Sequence, residues 1–173
     1  KGDLMDQERK LAQSGLGDAH RELLEAAGLL HNVGLFISHS AHHKHSYYVI
    51  RNSEHLLGFT DHEIELIAQV ARYHRKSAPK DKHPEYAALH AEDRRAVAVL
   101  AGLLRVAIGL DRSHALAVAA VRTEVDPEHG RLRVLAVPAD ETDTSLELYS
   151  ADQRKDLLAD ARGLDVEIGR TAP

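Results

Sequence analysis

Leu23, Ala26, Ala27 and Leu30 recur at i, i+3, i+4 and i+7 behind Asp18, the spacing of one helical face with an N-cap residue in front of it. His31 and Asn32, followed by Gly34, end that segment. A second helix is expected from about His45 to His55, closed by Gly58. The third has the clearest start: Thr60 and Glu63 form a capping box, and Ile64, Ile67, Ala68 and Ala71 then share a face. This helix carries Arg72, His74 and Arg75 to its C-terminal end. The segment from about Ala91 to Leu110 is apolar nearly all round, which predicts a buried helix at the centre of a bundle.

After His114 the period changes from helical to alternating. Leu132, Val134 and Ala136 alternate with Arg131, Arg133 and Leu135, and Pro127 to Gly130 supply a turn before them. Residues 116–126 and 131–138 therefore read as a hairpin. SLELY (145–149) and LDVEI (164–168) alternate as well and are expected as strands, with ADQRKDLLADAR between them as a short helix. The predicted fold class is α+β: a helical bundle over 16–114, then a small antiparallel-sheet unit with one helix over 115–173. Residues 1–15 read as a leader at a fragment edge, without the apolar centre of a signal peptide.

Composition narrows the chemistry. The chain has no cysteine, so disulfides and thiolate ligands are excluded and a reducing, cytoplasmic setting fits. Ala96 to Leu110 is interrupted by Arg105 and is shorter than the ~20 residues that cross a bilayer, so no membrane association is expected. A net charge of −5 disfavours duplex DNA as a partner. The charge is uneven, however: RYHRKSAPKDKH, Arg72 to His83, carries five Lys and Arg against Asp81 alone. Such a cationic patch on an acidic body suits a small or linear polyanion.

Five histidines, His31, His39, His42, His43 and His45, lie close together around Lys44. A metal site is one reading, since neutral imidazole ligates divalent transition metals. No Asp or Glu lies between Glu25 and Glu54 to complete such a site, and phosphohydrolase metals usually need carboxylates. Anion binding is the other reading. Phosphate oxygens accept charge-assisted hydrogen bonds from Arg and Lys, with imidazoles as further donors. It makes His42, His43, Lys44, His45, Arg72, His74, Arg75 and Lys76 the candidate phosphate-binding residues, with Lys80 and Lys82 in the following loop. If the imidazoles are cationic donors, binding should be tighter at pH 6 than at pH 8.

The stretch LLEAAGLLHNVGLFISHSAHHKHSYYVIRNSEHLLGFTDHEIELIAQVARYHRKSAP, followed by LLRVAIGLDRSH, closely resembles the C-terminal region of the exopolyphosphatase and guanosine pentaphosphate phosphatase (Ppx/GppA) family. The likeness covers roughly 16–115 and continues more weakly into SLELYSADQRKDLL. It implies an HD-like helical fold and an accessory role in binding polyphosphate and in dimerisation. The family's catalytic apparatus lies in an N-terminal, acetate-kinase-like region, and no strand with a Gly-rich phosphate loop occurs here. The resemblance thus implies no catalytic residues and no cofactor in this chain, a divalent cation serving only the parent reaction. Expected partners are polyphosphate or a related phosphate-rich ligand, and either a homodimer mate or the absent N-terminal catalytic region.

An active HD site pairs a histidine with an adjacent aspartate and closes with a further aspartate. His31 matches the paired histidine, but Asn32 follows it, and Ile108 stands where the closing aspartate belongs. Two alternatives stay open: a degenerate but active HD-type metal-dependent phosphohydrolase with His31, His39, His43 and Asp111 as ligands, and a dimerisation or scaffold module. Tyr47 and Tyr48 read as packing residues rather than stacking partners.

Overall fold

The computed structural model describes residues 16–140 and 142–171; the leader expected over 1–15 lies outside the described residues. The chain divides into two compact units, residues 1–100 and 101–173.

In the first unit, α1 (Asp18–Leu30) starts from Gly17 rather than Asp18. Gly17 is extended, its carbonyl accepts from the His20 and Arg21 amides, and its own N–H donates to His20 Nδ1 at 3.2 Å. A single 3-10 turn over Val33–Phe36 follows, then α2 (His42–Arg51) and α3 (Asp61–Arg72). Helix α2 begins three residues before the expected His45. Ala41 adopts a left-handed conformation (φ 54°) as its N-cap, and its carbonyl accepts the Lys44 amide at 2.8 Å, so the HHKH run is itself the first helical turn. The Thr60–Glu63 capping box of α3 is present in both directions. Helices α2 and α3 run antiparallel: Arg51 grips Asp61 at 2.8 and 3.0 Å, and Tyr47 Oη donates to Glu65 at 3.1 Å. A short α4 (Pro84–Ala87) precedes α5 (Ala91–Leu110), whose bounds are those predicted and whose residues from Ala101 onward belong to the second unit. Ala96, Val97, Val99, Leu100, Ala101, Leu104 and Val106 are all buried on it, as its apolar circumference requires.

The second unit departs from expectation in one element, and a change of topology follows. SLELY is helical, within α6 (Ser145–Asp152), and α7 (Asp156–Arg162) comes next. The Asp143 carboxylate accepts the Ser145 amide at 2.9 Å and its hydroxyl at 2.5 Å, which starts a helix where the alternating pattern suggested a strand. Packing then favours the helix: a Cβ on Gly109 would overlap the Ala151 backbone, and one on Gly102 would lie 2.7 Å from the Leu158 Cα. Two glycines on one side of α5 thus allow α6 and α7 to approach closely. The Glu147 carboxylate, 2 % exposed, accepts the Ser113 amide at 3.2 Å.

Strands β1 (Val118–Asp126) and β2 (Arg131–Pro138) form the predicted hairpin, with Gly130 left-handed at its turn. Strand β3 (Asp165–Arg170) pairs parallel with β2, giving the order β1-β2-β3. The α+β class stands, but the sheet is mixed rather than antiparallel and carries two helices rather than one. The reason is the helical SLELY segment. With two helices between β2 and β3, the connection is long enough to cross over and return the chain in the same direction.

Candidate functional site

The start of α2 and the end of α3 bring the HHKH and RYHRK segments together. His42 Nε2 lies 3.3 Å from His74 Nε2, with the rings stacked at 5.3 Å, and Arg75 Nη1 lies 3.2 Å from His42 Nδ1. His74 Nδ1 is 2.6 Å from the Ala71 carbonyl. His31 stands edge-on to His74 at 4.9 Å, its own Nδ1 2.6 Å from the Gly28 carbonyl.

One tautomer is fixed by these contacts. A carbonyl only accepts, so His74 carries its proton on Nδ1 and offers a lone pair at Nε2. A neutral His42 either donates to that lone pair from Nε2, which leaves Nδ1 as an acceptor for Arg75, or carries its proton on Nδ1 and donates to the His39 carbonyl at 3.2 Å. Arg75 Nη1 lies 3.2 Å from Nδ1 and 3.4 Å from Nε2, so the guanidinium sits against the His42 ring in either form.

Burial keeps the imidazoles in this chain uncharged. His74 is pushed down to about 3, chiefly by burial, against the opposing hydrogen bond to Ala71. His43 is pushed down to about 4, by burial first and then by Arg75, His42, Lys44 and Arg72. His42 is lowered by burial, partly offset by the His39 carbonyl. The sequence-based expectation of added positive charge near pH 6 is therefore corrected for His43 and His74, which are neutral polar groups there, while His42 is shifted in the same direction.

The cations divide by their partners. Arg72 is held in place, bonded to Glu85 at 2.9 Å with its guanidinium 5.3 Å from the Tyr47 ring centre and 5.6 Å from that of Tyr73. Arg51 faces Asp61 and Glu65, and Arg94 faces Asp81. Arg75 is anchored instead on the neutral His42 ring, so its charge is not cancelled by that contact. Lys44 is exposed on α2 and His45 half-buried; Lys76 is exposed just past α3, in a left-handed conformation (φ 63°). Lys80 and Lys82 are exposed, and the Lys80 amide donates to His83 Nδ1 at 3.3 Å.

Three features of the site escaped sequence reading. Ser46, fully buried, donates to the His31 carbonyl at 2.6 Å and accepts the Gly34 amide at 3.0 Å. Gly34 lies so close to α2 that a Cβ would overlap the His42 carbonyl and the Ser46 nitrogen. Glu65 gathers Tyr47, Arg51 and Gln69; separately, the buried Gln69 Oε1 and His43 Nδ1 have no hydrogen-bond partner among the described residues. Only the Glu65–Gln69 spacing of four residues was legible in advance.

For a metal, the donor set is thin. Among the described residues no group of three or more His, Asp or Glu side chains is placed to hold an ion. Asp111, one of the alternative ligands, is exposed and bonded to His114 at 2.9 Å; Ile108 is half-buried on α5. Among the described residues no carboxylate set fits a divalent cation beside His31.

Basic and histidine-rich helix ends thus meet at one end of the α2–α3 pair in a helical domain. Residues 2–155 match Ppx/GppA phosphatase, domain III, so the chain belongs to the Ppx/GppA phosphatase family. It is similar to the guanosine-5'-triphosphate,3'-diphosphate pyrophosphatase of Pseudoalteromonas translucida (strain TAC 125), with 41% identity over 58 residues. That match covers 34% of this chain and 12% of the length of that relative. No helix among the described residues is long and apolar enough to cross a membrane.

Proposed function

We propose that the first unit is an accessory binding module for a phosphate-rich chain, polyphosphate in the first instance, with hydrolysis performed by a region outside it. The observation that carries this reading is the anchoring of Arg75 on a neutral histidine pair. A guanidinium bound to a carboxylate, like Arg72 on Glu85, brings a cancelled charge to an anion; one bound to imidazole brings its full charge. Arg75 is therefore the central donor, with Lys44 and Lys76 as flanking exposed cations and His42 and His74 as supports rather than donors. The HD-like fold, homodimer formation, a cytoplasmic setting and a catalytic partner region belong to the same proposal, as does the alternative ligand named for the relative, a guanosine polyphosphate.

Titration calorimetry of the chain with medium-length polyphosphate at several salt concentrations tests it. Arg75→Ala should weaken binding about tenfold to a hundredfold, as expected for one shielded charge-assisted contact of ~1.5–3 kcal/mol. It should also reduce the salt dependence. Affinity should be nearly flat between pH 6 and 8 as far as His43 and His74 are concerned. Unchanged affinity and unchanged salt slope in Arg75→Ala would sink the proposal.

A further inference from the structure

Beyond α3 the chain makes a loop that is pinned at its neck. Tyr73, 2% exposed, is the first residue past α3, and His83 is the last before α4. Their rings stack at 5.6 Å, and Tyr73 Oη lies 2.8 Å from His83 Nδ1. The Lys80 amide points at the same nitrogen at 3.3 Å, while the Lys80 carbonyl accepts the His83 amide at 2.9 Å. A backbone N–H only donates, so Nδ1 is the lone-pair nitrogen of this ring and receives both the Tyr73 hydroxyl and the Lys80 amide. Burial first, and then the charges of Arg72, Lys82 and Lys80, lower the pKa of His83 against the opposing Glu85, which favours that lone pair. His83 is the N-cap of α4, yet its side chain makes no capping bond; the ring is committed to the loop instead.

The pin decides where the cations go. Arg75 follows Tyr73 by two residues and Lys82 precedes His83 by one, so closing the neck brings both ends of the basic segment to one place. Arg72 braces that neck, its guanidinium 5.6 Å from the Tyr73 ring centre and bonded to Glu85 at 2.9 Å. Its charge acts on His43, which also feels Arg75 and Lys44, and on His83, which also feels Lys80 and Lys82, so Arg72 stands between two cationic groups. Asp81, the one carboxylate between Tyr73 and His83, is turned to Arg94 of α5 at 3.3 Å. Lys80 and Lys82 are exposed and make no ion pair among the described residues.

We propose that His83 and Tyr73 are positioning residues for anion binding: by closing the loop they hold Lys80 and Lys82 as a second, preformed cationic arm for the phosphate-rich chain that Arg75 receives. The inference rests on the phosphate-binding reading of Arg75. Lysines on an open loop must be ordered when the anion arrives, which subtracts from affinity, and a loop already closed removes part of that cost. A purely structural His83 predicts something else: its loss would lower stability and leave the affinity of the folded chain unchanged.

Titration calorimetry with medium-length polyphosphate, on variants shown to be folded by circular dichroism, separates the two. His83→Leu should weaken binding about threefold to tenfold. His83→Asn, whose amide oxygen can take the place of Nδ1, should recover most of that loss. Tyr73→Phe keeps the stacked ring and removes only the hydroxyl, so it should bind about twofold to threefold more weakly, and it serves if His83→Leu does not fold. In a Lys80→Ala/Lys82→Ala background the His83→Leu change should cost nothing further, because the groups it positions are gone. Hydrogen exchange at the Lys80 amide should quicken in His83→Leu and return towards the parent rate in His83→Asn. Parent-like affinity in both His83→Leu and Tyr73→Phe would overturn the proposal, and so would a His83→Leu loss of equal size with and without the two lysines. If Lys80→Ala/Lys82→Ala changes nothing while Arg75→Ala weakens binding, the loop arm fails and the Arg75 reading stands. A parent chain that binds no polyphosphate overturns both.

Discussion

Ser46→Ala should be among the most damaging single-atom changes in the first unit. The hydroxyl serves two backbone groups at once, donating to the His31 carbonyl and accepting the Gly34 amide, and it is fully buried. Alanine keeps the helix propensity of α2 high and removes little volume, so the loss is almost entirely polar. The Gly34 amide sits where a Cβ does not fit, so no side chain is at hand to replace its acceptor; stranding it costs about 1–3 kcal/mol. The His31 carbonyl is part-buried and regains some hydration, so its share is nearer 0.5–1.5 kcal/mol on the order-of-magnitude scale of a net hydrogen bond. Together they come to about 1.5–4.5 kcal/mol, a large part of the ~5–15 kcal/mol that holds a domain together.

Urea unfolding measures this directly, with Ser40→Ala as the exposed comparator. Ser46→Ala should move the midpoint down at constant m-value, while Ser40→Ala should stay within about 0.5 kcal/mol of the parent. Hydrogen exchange adds a local signature: the Gly34 amide should lose protection. A Ser46→Ala loss no larger than that of Ser40→Ala would show that water reaches the site and that the clamp between the 3-10 turn and α2 is not what holds them.

Acidification tests the buried histidines. Above pH 6.5 His74 is neutral in both states and contributes no slope. Below it the unfolded chain takes up a proton that the folded chain, with His74 near 3, refuses. Stability should thus fall as pH drops below 6.5, by about 2 kcal/mol between pH 6.5 and 5 for one such group, with His43 adding a smaller amount in the same direction. Urea midpoints across that window, which lies above the lowered carboxylates Glu85 and Glu147, give the answer, and a flat profile would contradict the buried, neutral assignment. Thr60→Ala, which removes the side-chain acceptor for the Glu63 amide at 3.3 Å, should cost about 1 kcal/mol in thermal unfolding; a neutral outcome would mean that solvent caps α3 equally well.

What the sequence revealed follows the range of each signal. The Thr60–Glu63 box and the Ala91–Leu110 helix were legible because capping and apolar periodicity are local. SLELY was misread because its two leucines at alternate positions satisfy a strand pattern, while the facts that decide for a helix, the Asp143 cap and the glycine face of α5, involve residues outside the window. The meeting of HHKH with RYHRK was expected from family resemblance alone, since no spacing along the chain encodes a contact between residues 42 and 74. The division of labour between Arg72 and Arg75 was not legible at all. It depends on Glu85, which belongs to α4, taking one guanidinium and leaving the other to a histidine.

That division also explains why histidines, rather than carboxylates, sit beneath Arg75. On the proposed reading, a carboxylate would hold the guanidinium more firmly but would repel a phosphate ligand. Two neutral imidazoles in series can orient the same group while adding no negative charge, provided that they stay unprotonated. Burial at 5% and 6% exposure for His42 and His74 is what guarantees it. Protonating His42 would leave Arg75 facing a like charge. The support therefore works only while the pair is dry, and the clamp of Ser46 on α2 to the Gly34 amide and His31 carbonyl is part of what fixes the pair in its buried position.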